Sequence, residues 1–181
     1  SFISFQFLLH FNRGLVAGLL GMRPDDERIP DSFEIARKMG LSYSFGIANL
    51  TSAHPNSVVL EVKGKSGRTL EVQACSLGGG RIMINRLDGL DVNCSCEIPT
   101  LIVHNLDQPG HVAEVTSMLA HKSVNIANMS LYRDKRGGSA VMVVEMDQPL
   151  PKESLEWLEH LEGIVKVTYI NVTEGEEDDV L

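Results

Sequence analysis

The second half of the chain alternates short apolar runs with amphipathic stretches, and this pattern predicts six elements. Alternation with a period of two indicates a strand, whereas an apolar residue every three or four positions indicates a helix. The predicted order is strand, helix, strand, strand, helix, strand, running from about Ile98 to Val172, with strands at 100–105, 124–133, 139–147 and 164–172 and helices at 110–122 and 152–161.

Each predicted helix carries one apolar stripe, so both helices can cover the same face of a four-stranded sheet. The stripe residues are Val112, Val115, Met118 and Leu119 in the first helix and Leu155, Leu158 and Leu161 in the second. This arrangement predicts a ferredoxin-like split βαβ fold.

The first half predicts an α+β arrangement in which helices precede an antiparallel meander. The pattern gives a helix, a short capped helix that ends at Gly40, and then strands. The strongest hairpin indication is the turn from Gly64 to Gly67 between two alternating runs. The predicted helices are 12–21 and 33–39, and the predicted strands are 41–47, 57–63, 68–77 and 81–86.

Composition indicates a globular chain without a nucleic-acid or membrane partner. Of 181 residues, 43% are hydrophobic, enough for one large or two small domains. Residues 1–97 hold ten Lys/Arg and ten Asp/Glu, and residues 98–181 hold six against fourteen, so the net charge of −8 lies in the second half. A basic binding surface is therefore not expected.

The two ends of the chain differ in composition, since the first is apolar and the last is acidic. The apolar run from Ser1 to Phe11 is shorter than the ~20 residues of a membrane helix, and it lacks a signal peptide's basic start and cleavage site. Because it begins without Met inside an apolar run, we expect the chain to lack its natural start. Residues 174–181 are acidic, and we expect a disordered tail.

Three cysteines, Cys75, Cys94 and Cys96, favour a reducing cytoplasm over a disulfide framework. The pair at 94 and 96 could indicate a metal or redox site. No histidine or second pair accompanies it at zinc spacing, so small residues beside a strand remain the simpler interpretation. We predict no metal site in this chain.

The connection from Asn105 to Gly110 leads from a strand into a helix and contains Pro109 and Gly110. Free N–H groups at such a helix start can bind a carboxylate. Asn125, at the start of the next strand, could bind a polar small molecule. The alternative is that Pro and Gly only form the turn and that Asn125 caps it.

The strand, the Asn105-Leu-Asp-Gln-Pro-Gly110 turn, the helix and the Val124-Asn-Ile strand together resemble the ACT domain, an amino-acid-sensing module of metabolic enzymes. The resemblance implies a homodimer formed side by side and a small amino-acid effector bound between two copies. The implied effector-binding residues are Asn105, Asp107, Gly110 and Asn125. Asn105 stands where some amino-acid-binding members have histidine.

Three motifs in the first half resemble, in order and spacing, the beta subunit of bacterial iron–sulphur-dependent L-serine dehydratase. They are the segments 18–31, beginning Gly-Leu-Leu-Gly-Met-Arg-Pro, 54–57, His-Pro-Asn-Ser, and 76–81, Ser-Leu-Gly-Gly-Gly-Arg. The fold class is then an N-terminal α/β serine dehydratase beta-type domain, incomplete at its start, at 1–96, and a βαββαβ ACT domain at 97–173.

The resemblance implies a subunit of a lyase, L-serine ammonia-lyase, that converts L-serine to pyruvate and ammonia together with an alpha subunit. The alpha subunit of that family carries a [4Fe-4S] cluster. Since no cysteine set here could hold such a cluster, we expect the isolated chain to contain no cofactor and no iron.

His54 and Asn56 are the candidate catalytic residues, able to bind a carboxylate or handle a proton. The alternative is a turn histidine bonded to local backbone. Ser76, Gly78, Gly79 and Gly80 resemble a nest that binds substrate or another anion. Glycines between two strands can equally form a bulge.

Family members carry Ser-Ser-Ser-His-Thr near their start and Gly-His-Gly-Thr just before the helix that here is predicted at Asn12. Neither is present, and the second falls on Leu8-Leu9-His10-Phe11. We expect no activity from this chain alone or in this form. The alternative function is a non-catalytic amino-acid sensor or assembly module, as in some phosphoglycerate dehydrogenases.

Overall fold

The structure is a computed structural model that describes residues 2–50 and 53–171, with the backbone alone for residues 2–10. The predicted tail at 174–181 lies outside the described residues. Two compact units, Ser1–Leu50 and Thr51–Leu181, make up the chain. Among the helices of the described residues, none combines the length and apolarity needed to cross a membrane.

The first unit contains two helices, α1 at Phe2–Leu19 and α2 at Ser32–Lys38, with a short 3-10 turn at Ile29–Asp31. The Ser32 hydroxyl donates to the backbone carbonyl of Arg13 at 3.1 Å and ties the two helices together. Helix α2 ends as predicted, because Gly40 has a φ of 75° that an αL cap requires.

Two sequence predictions for this unit are wrong. Helix α1 begins at Phe2 rather than Asn12, because residues 2–11 contain neither proline nor glycine to stop a helix. The strand at 41–47 does not form. Its aromatic residues Tyr43 and Phe45 instead pack on Phe33, with ring centroids 5.3 and 6.0 Å from the Phe33 ring.

The second unit begins with a four-stranded antiparallel meander in the order β1-β2-β3-β4. The predicted turn is confirmed, since Gly64 N–H donates to the Arg68 carbonyl at 2.8 Å. The fourth strand was not predicted, although Asp88-Gly89 is a typical hairpin turn. The strands are β1 at Ser57–Lys63, β2 at Thr69–Gly78, β3 at Arg81–Leu87 and β4 at Leu90–Cys94.

The predicted βαββαβ order follows and is confirmed, with sheet order β6-β7-β5-β8 and every neighbouring pair antiparallel. Helices α3 and α4 cover one face through an apolar core that includes Leu101, Val115, Leu119 and Leu158. The elements are β5 at Thr100–Leu106, α3 at His111–His121, β6 at Ile126–Arg133, β7 at Ser139–Met146, α4 at Lys152–Glu159 and β8 at Ile164–Ile170.

The first sheet covers the face of the second sheet that the helices leave open. A second apolar cluster joins them, in which Ile84 and Val92 from the first sheet pack with Ile102, Val141 and Val143 from the second. The predicted domain boundary between residues 96 and 97 falls at the connection from β4 to β5, inside this compact unit. The two sheets therefore share a core.

Candidate functional site

The His54–Asn56 loop lies directly beside the end of β2. Backbone N–H of Ser76 donates to the Asn56 carbonyl at 3.0 Å, and the Ser57 hydroxyl donates to the His54 carbonyl at 2.6 Å. These bonds hold the exposed side chains of His54 and Asn56 at the same end of the sheet as Ser76. Two segments twenty residues apart in sequence, which the sequence singled out separately, are neighbours in the fold.

The imidazole of His54 accepts a hydrogen bond through Nδ1 from the backbone N–H of Asn56, at 3.2 Å. A ring nitrogen that accepts carries no proton, so the neutral imidazole holds its proton on Nε2. In this arrangement the exposed Nε2 is a hydrogen-bond donor rather than a base. This contact is the local backbone bond of a turn histidine, and it leaves the other nitrogen available to a ligand.

The glycine segment after Ser76 forms a tight hairpin. Gly78 pairs with Arg81 after a register shift in the ladder, so the bulge that the sequence allowed is present. Gly79 and Gly80, with φ of 62° and 79°, form the two-residue turn. This turn requires positive φ at both positions, which explains the glycines without a ligand.

The space around these glycines is open, although the Gly78 N–H already donates to Ser76 Oγ at 3.4 Å. A Cβ placed at Gly78, Gly79 or Gly80 would have no atom within 4 Å. The exposed guanidinium of Arg81 follows the turn and makes no ion pair within the described part of the chain. Arg81 was not singled out from the sequence, although it ends the same motif and offers a positive charge to an anion.

Three of the predicted effector-binding residues lie together at the end of β5. Asn105 is buried, and its amide donates to the Leu106 carbonyl at 2.6 Å, while its Oδ1 has no hydrogen-bond partner in the structure. Gly110 precedes α3 with a φ of 110°. A buried amide oxygen without a donor is costly, and a donor group of a ligand would remove that cost.

Asp107 is already engaged by its own chain. Its carboxylate accepts from the backbone N–H of Gly137 at 2.9 Å and from Arg133 at 3.1 Å. The hydrogen bond from Gly137, followed by that from Arg133, lowers the pKa of Asp107. Asp107 therefore clamps the turn between β6 and β7.

Asn125 lies at the opposite end of the sheet from the other three residues. Its amide donates to Asp147 at 2.5 Å, and its backbone N–H donates to the Gln148 side chain at 2.7 Å. The start of β6 pairs with the end of β7, whereas the end of β5 pairs with the start of β7. A single chain thus does not bring the four predicted effector-binding residues together.

His111 was missed in the sequence, although it directly follows the Pro-Gly turn. It is buried, its Nε2 has no hydrogen-bond partner, and its Nδ1 lies 3.3 Å from a Glu114 carboxylate oxygen. The ring packs on Gly163, where a Cβ would lie 2.5 Å from Nε2. Gly163 in turn accepts a hydrogen bond from Leu106 N–H at 2.9 Å, so this histidine supports the end of β5.

A titratable cluster at the contact between the two sheets was also missed. Lys166 Nζ lies 2.5 Å from Asp88 Oδ2, and Glu71 N–H donates to the other Asp88 oxygen at 2.8 Å. Burial alone would raise the pKa of Asp88, but the hydrogen bonds from Lys166 and Glu71 outweigh burial, so the pKa is lowered.

His104 lies beneath this cluster, with Nε2 3.6 Å from Asp88 Oδ2. Burial lowers the pKa of His104, and the nearby cations Lys166 and Arg68 lower it further against the attraction of Asp88. The attraction of Asp88, which Lys166 also contacts, does not outweigh burial, so folding favours the neutral form of His104.

We expect the free energy of unfolding to fall as the pH drops below about 6.5, the ordinary pKa of histidine. Between that value and the lowered pKa of the folded state, the unfolded chain binds more protons than the folded chain, so the free energy of unfolding rises with pH. Above the ordinary pKa of histidine, His104 no longer lowers the free energy of unfolding. Urea unfolding between about pH 5.5 and 7.5 measures this. His104→Gln should flatten the dependence, whereas His121→Ala, at an exposed histidine, should leave it; equal slopes for all three proteins would contradict the assignment.

The cysteines do not fit an iron–sulphur cluster. A [4Fe-4S] cluster takes several cysteine ligands, whereas here only Cys94 and Cys96 are neighbours, with their Sγ atoms 3.1 Å apart. Among the described residues, no three His, Cys, Asp or Glu side chains converge as a metal site. That the chain carries no cofactor remains a prediction.

Comparison with known proteins gives one match to the C-terminal part of the chain and others to most of its length. Residues 99–162 match the ACT domain family. The chain is 33% identical over 156 residues to the probable L-serine dehydratase beta chain of Bacillus subtilis, covering 86% of this chain and 70% of that protein. It is 32% identical over 162 residues to the L-serine dehydratase beta chain of Peptoniphilus asaccharolyticus, covering 89% and 73%.

In a second group of similar proteins, the region that matches this chain is a smaller part of the other protein. The D-3-phosphoglycerate dehydrogenase of Bacillus subtilis is 25% identical over 162 residues, which is 88% of this chain but 30% of that enzyme. In that relative the matching region is therefore one part of a larger protein.

Proposed function

Because the chain belongs to the family of L-serine dehydratase beta chains, we propose that it works with a separate alpha chain to convert L-serine to pyruvate and ammonia. The observation that carries this proposal is the extent of the similarity. It covers 86–89% of the chain at 32–33% identity, so it includes the first sheet and its candidate site as well as the ACT domain.

The reaction removes the α-proton and the hydroxyl group of serine, and hydrolysis of the resulting enamine yields pyruvate and ammonia. It needs donors for the carboxylate and for the departing oxygen. His54 Nε2–H, the Asn56 amide and the Ser76 hydroxyl are such donors at one end of the first sheet, and Arg81 adds a positive charge. We propose that this end of the sheet closes over serine held by the alpha chain.

We place the [4Fe-4S] cluster in the alpha chain, because the three cysteines here do not form a ligand set. An open iron of such a cluster supplies a Lewis acid. The contribution of this chain is then to bind and orient the substrate and to exclude water. Its isolated form should contain no stoichiometric iron.

We further propose that two copies pair through β6 and bind a small amino acid between them. The outer edge of β8 is partly covered, because Arg68 donates to the Val167 carbonyl. The edge of β6 carries the exposed Leu131. Antiparallel pairing of two β6 edges would bring Asn125 of one copy to the end of the sheet where the other copy holds Asp107, with β6 and β7 of that copy between the two residues.

Leu131→Lys is expected to weaken the homodimer by at least about tenfold, because like charges brought together across an interface cost several kcal/mol. Val165→Lys is the matched control, since Val165 is an exposed apolar residue on β8. Sedimentation equilibrium should show a weakened dimer for the first variant and an unchanged dimer for the second. A wild-type chain that stays monomeric at micromolar concentration would contradict the pairing.

The proposed reaction is tested with an alpha chain from the same genome, loaded with its cluster. We expect this chain to bind the alpha chain, and we expect pyruvate from L-serine once Ser-Ser-Ser-His-Thr is added upstream and Leu8–Phe11 becomes Gly-His-Gly-Thr. The side chains at Leu8, Leu9 and His10 lie outside the described residues. Co-purification and a pyruvate assay measure both steps.

Full activity of the chain as written would contradict the role assigned to the two segments. Failure to bind any alpha chain would contradict the proposed function. In that case the remaining candidate is a non-catalytic amino-acid sensor, which is favoured by the match to part of D-3-phosphoglycerate dehydrogenase. Calorimetric binding of L-serine by the chain alone would support that alternative.

A further inference from the structure

Two free thiols are held side by side where the first sheet passes into the second. Cys94 ends β4, Cys96 follows after one residue, and their Sγ atoms are 3.1 Å apart. Residues two apart in a regular strand point the same way but lie about 6.6 Å apart along it. Cys96 has a φ of 55°, and this left-handed turn of the backbone brings the two sulphurs together.

The separation suits a disulfide better than a metal. A disulfide bond measures about 2.05 Å, so the sulphurs need to close by only about 1 Å. No third ligand joins the pair among the described residues. We propose that Cys94 and Cys96 form a peroxide-sensitive dithiol that closes to a reversible intrachain disulfide.

The environment distinguishes the two thiols. A hydrogen bond from the Cys96 thiol lowers the pKa of Cys94, and the same bond, with burial, raises the pKa of Cys96. Cys94 is therefore the sulphur that ionises first and attacks an oxidant, since the thiolate is the nucleophile. Cys96 is the resolving thiol, already in contact with it.

The oxidation balances with hydrogen peroxide as the oxidant. The Cys94 thiolate attacks one peroxide oxygen, the O–O bond breaks, and the leaving hydroxide takes a proton to become water, which leaves a sulfenic acid on Cys94. The Cys96 sulphur then attacks the Cys94 sulphur and the S–O bond breaks, releasing a second water with the Cys96 proton. Two thiols lose two electrons, and one peroxide gains them.

The chain contains its own control for accessibility. Cys75 is as buried as the pair, with 5% of its surface exposed against 2% for Cys94 and 6% for Cys96. No thiol lies beside it among the described residues. If burial alone governed oxidation, all three would behave alike, whereas a neighbouring thiol predicts disulfide formation at 94 and 96 only.

The test treats the purified full chain with hydrogen peroxide, denatures it and alkylates it with iodoacetamide. We expect the intact mass of the peroxide-treated chain, read before alkylation, to fall by about 2 Da, the alkylated cysteines to drop from three to one, and peptide mapping to place the label on Cys75. Dithiothreitol should restore all three labels. Cys75→Ser should still lose the same mass, whereas Cys94→Ser and Cys96→Ser should not.

Three labels after peroxide treatment, or a disulfide between two chains, would overturn the proposal. Oxidation of Cys75 before the pair would do the same. The mapping of the wild-type chain needs no variant, so it decides the matter even if a cysteine substitution disturbs folding.

Discussion

His54→Ala is expected to lower the kcat/KM for L-serine by about 10²-fold in the alpha–beta enzyme carrying both restored segments. The imidazole accepts from Asn56 N–H through Nδ1, so Nε2–H faces outward as a donor to a carboxylate or to the departing oxygen. Loss of one such donor in a water-excluded site costs about 10²–10³ in rate. A coupled pyruvate assay over a range of serine concentrations measures the change.

A second substitution at His54 distinguishes a role as hydrogen-bond donor from a role as general base. The side-chain amide of His54→Gln still donates a hydrogen bond but cannot accept a proton, so this variant should keep part of the activity if His54 is a donor. His121→Ala is the matched control, because His121 is also exposed and also makes a local bond, to the Ser117 carbonyl at 2.7 Å. Equal activity of wild type and His54→Ala would assign His54 to the turn alone.

Gly163→Ala is expected to lower the free energy of unfolding by about 2–4 kcal/mol. Two penalties combine at this position. The φ of 81° is left-handed and disfavours a side chain, and the new Cβ would lie 2.5 Å from His111 Nε2. Because Gly163 supports the end of β5, the loss should fall on the second sheet. Urea unfolding measures it.

Gly67→Ala provides the matched control for this prediction. Gly67 has a similar φ of 86°, but a Cβ there would have no atom within 4 Å, so only the backbone penalty of about 1 kcal/mol applies. The double variant Gly163→Ala with His111→Ala should recover part of the loss by removing the clash. If the two glycine variants lose equal stability, packing against His111 contributes nothing.

The ACT domain was predictable because its apolar period is regular, although Val112 of the predicted stripe is exposed. Val115, Leu119 and Leu158 lie on helical stripes, and Leu101 and Val103 lie on one face of β5; all five are buried as the period requires. Ile102, on the other face of β5, is buried by the first sheet. The strand predicted from the alternation at 41–47 is wrong, because the aromatic rings of Tyr43 and Phe45 pack against each other and no strand among the described residues pairs with this segment. An isolated segment has no ladder partner, and its pattern alone cannot supply one.

The sequence predicted which residues belong to the candidate site but not how they are arranged in space. Glycines at 78–80 and the histidine at 54 stand out in the sequence, yet their proximity depends on the hydrogen bond from Ser76 to Asn56. The proton position on His54 depends on one further local bond. The first bond joins two backbone groups that every residue carries, and the second, from Asn56 N–H to the His54 ring, depends on the local conformation of the loop, so the order of residues shows neither.

The sequence by itself determined the period of the elements in the second half, and with it the βαββαβ order and most of the apolar stripes, together with the hairpin turn from Gly64 to Gly67, because these depend on local spacing and on residues a few positions apart. The tertiary structure alone decided that the first sheet covers the open face of the second. It alone brought Asp88, His104 and Lys166 into one cluster and placed Asn125 far from Asn105. The physical reason is that such contacts join positions tens of residues apart, and their energies come from burial and charge that exist only once the two sheets have packed.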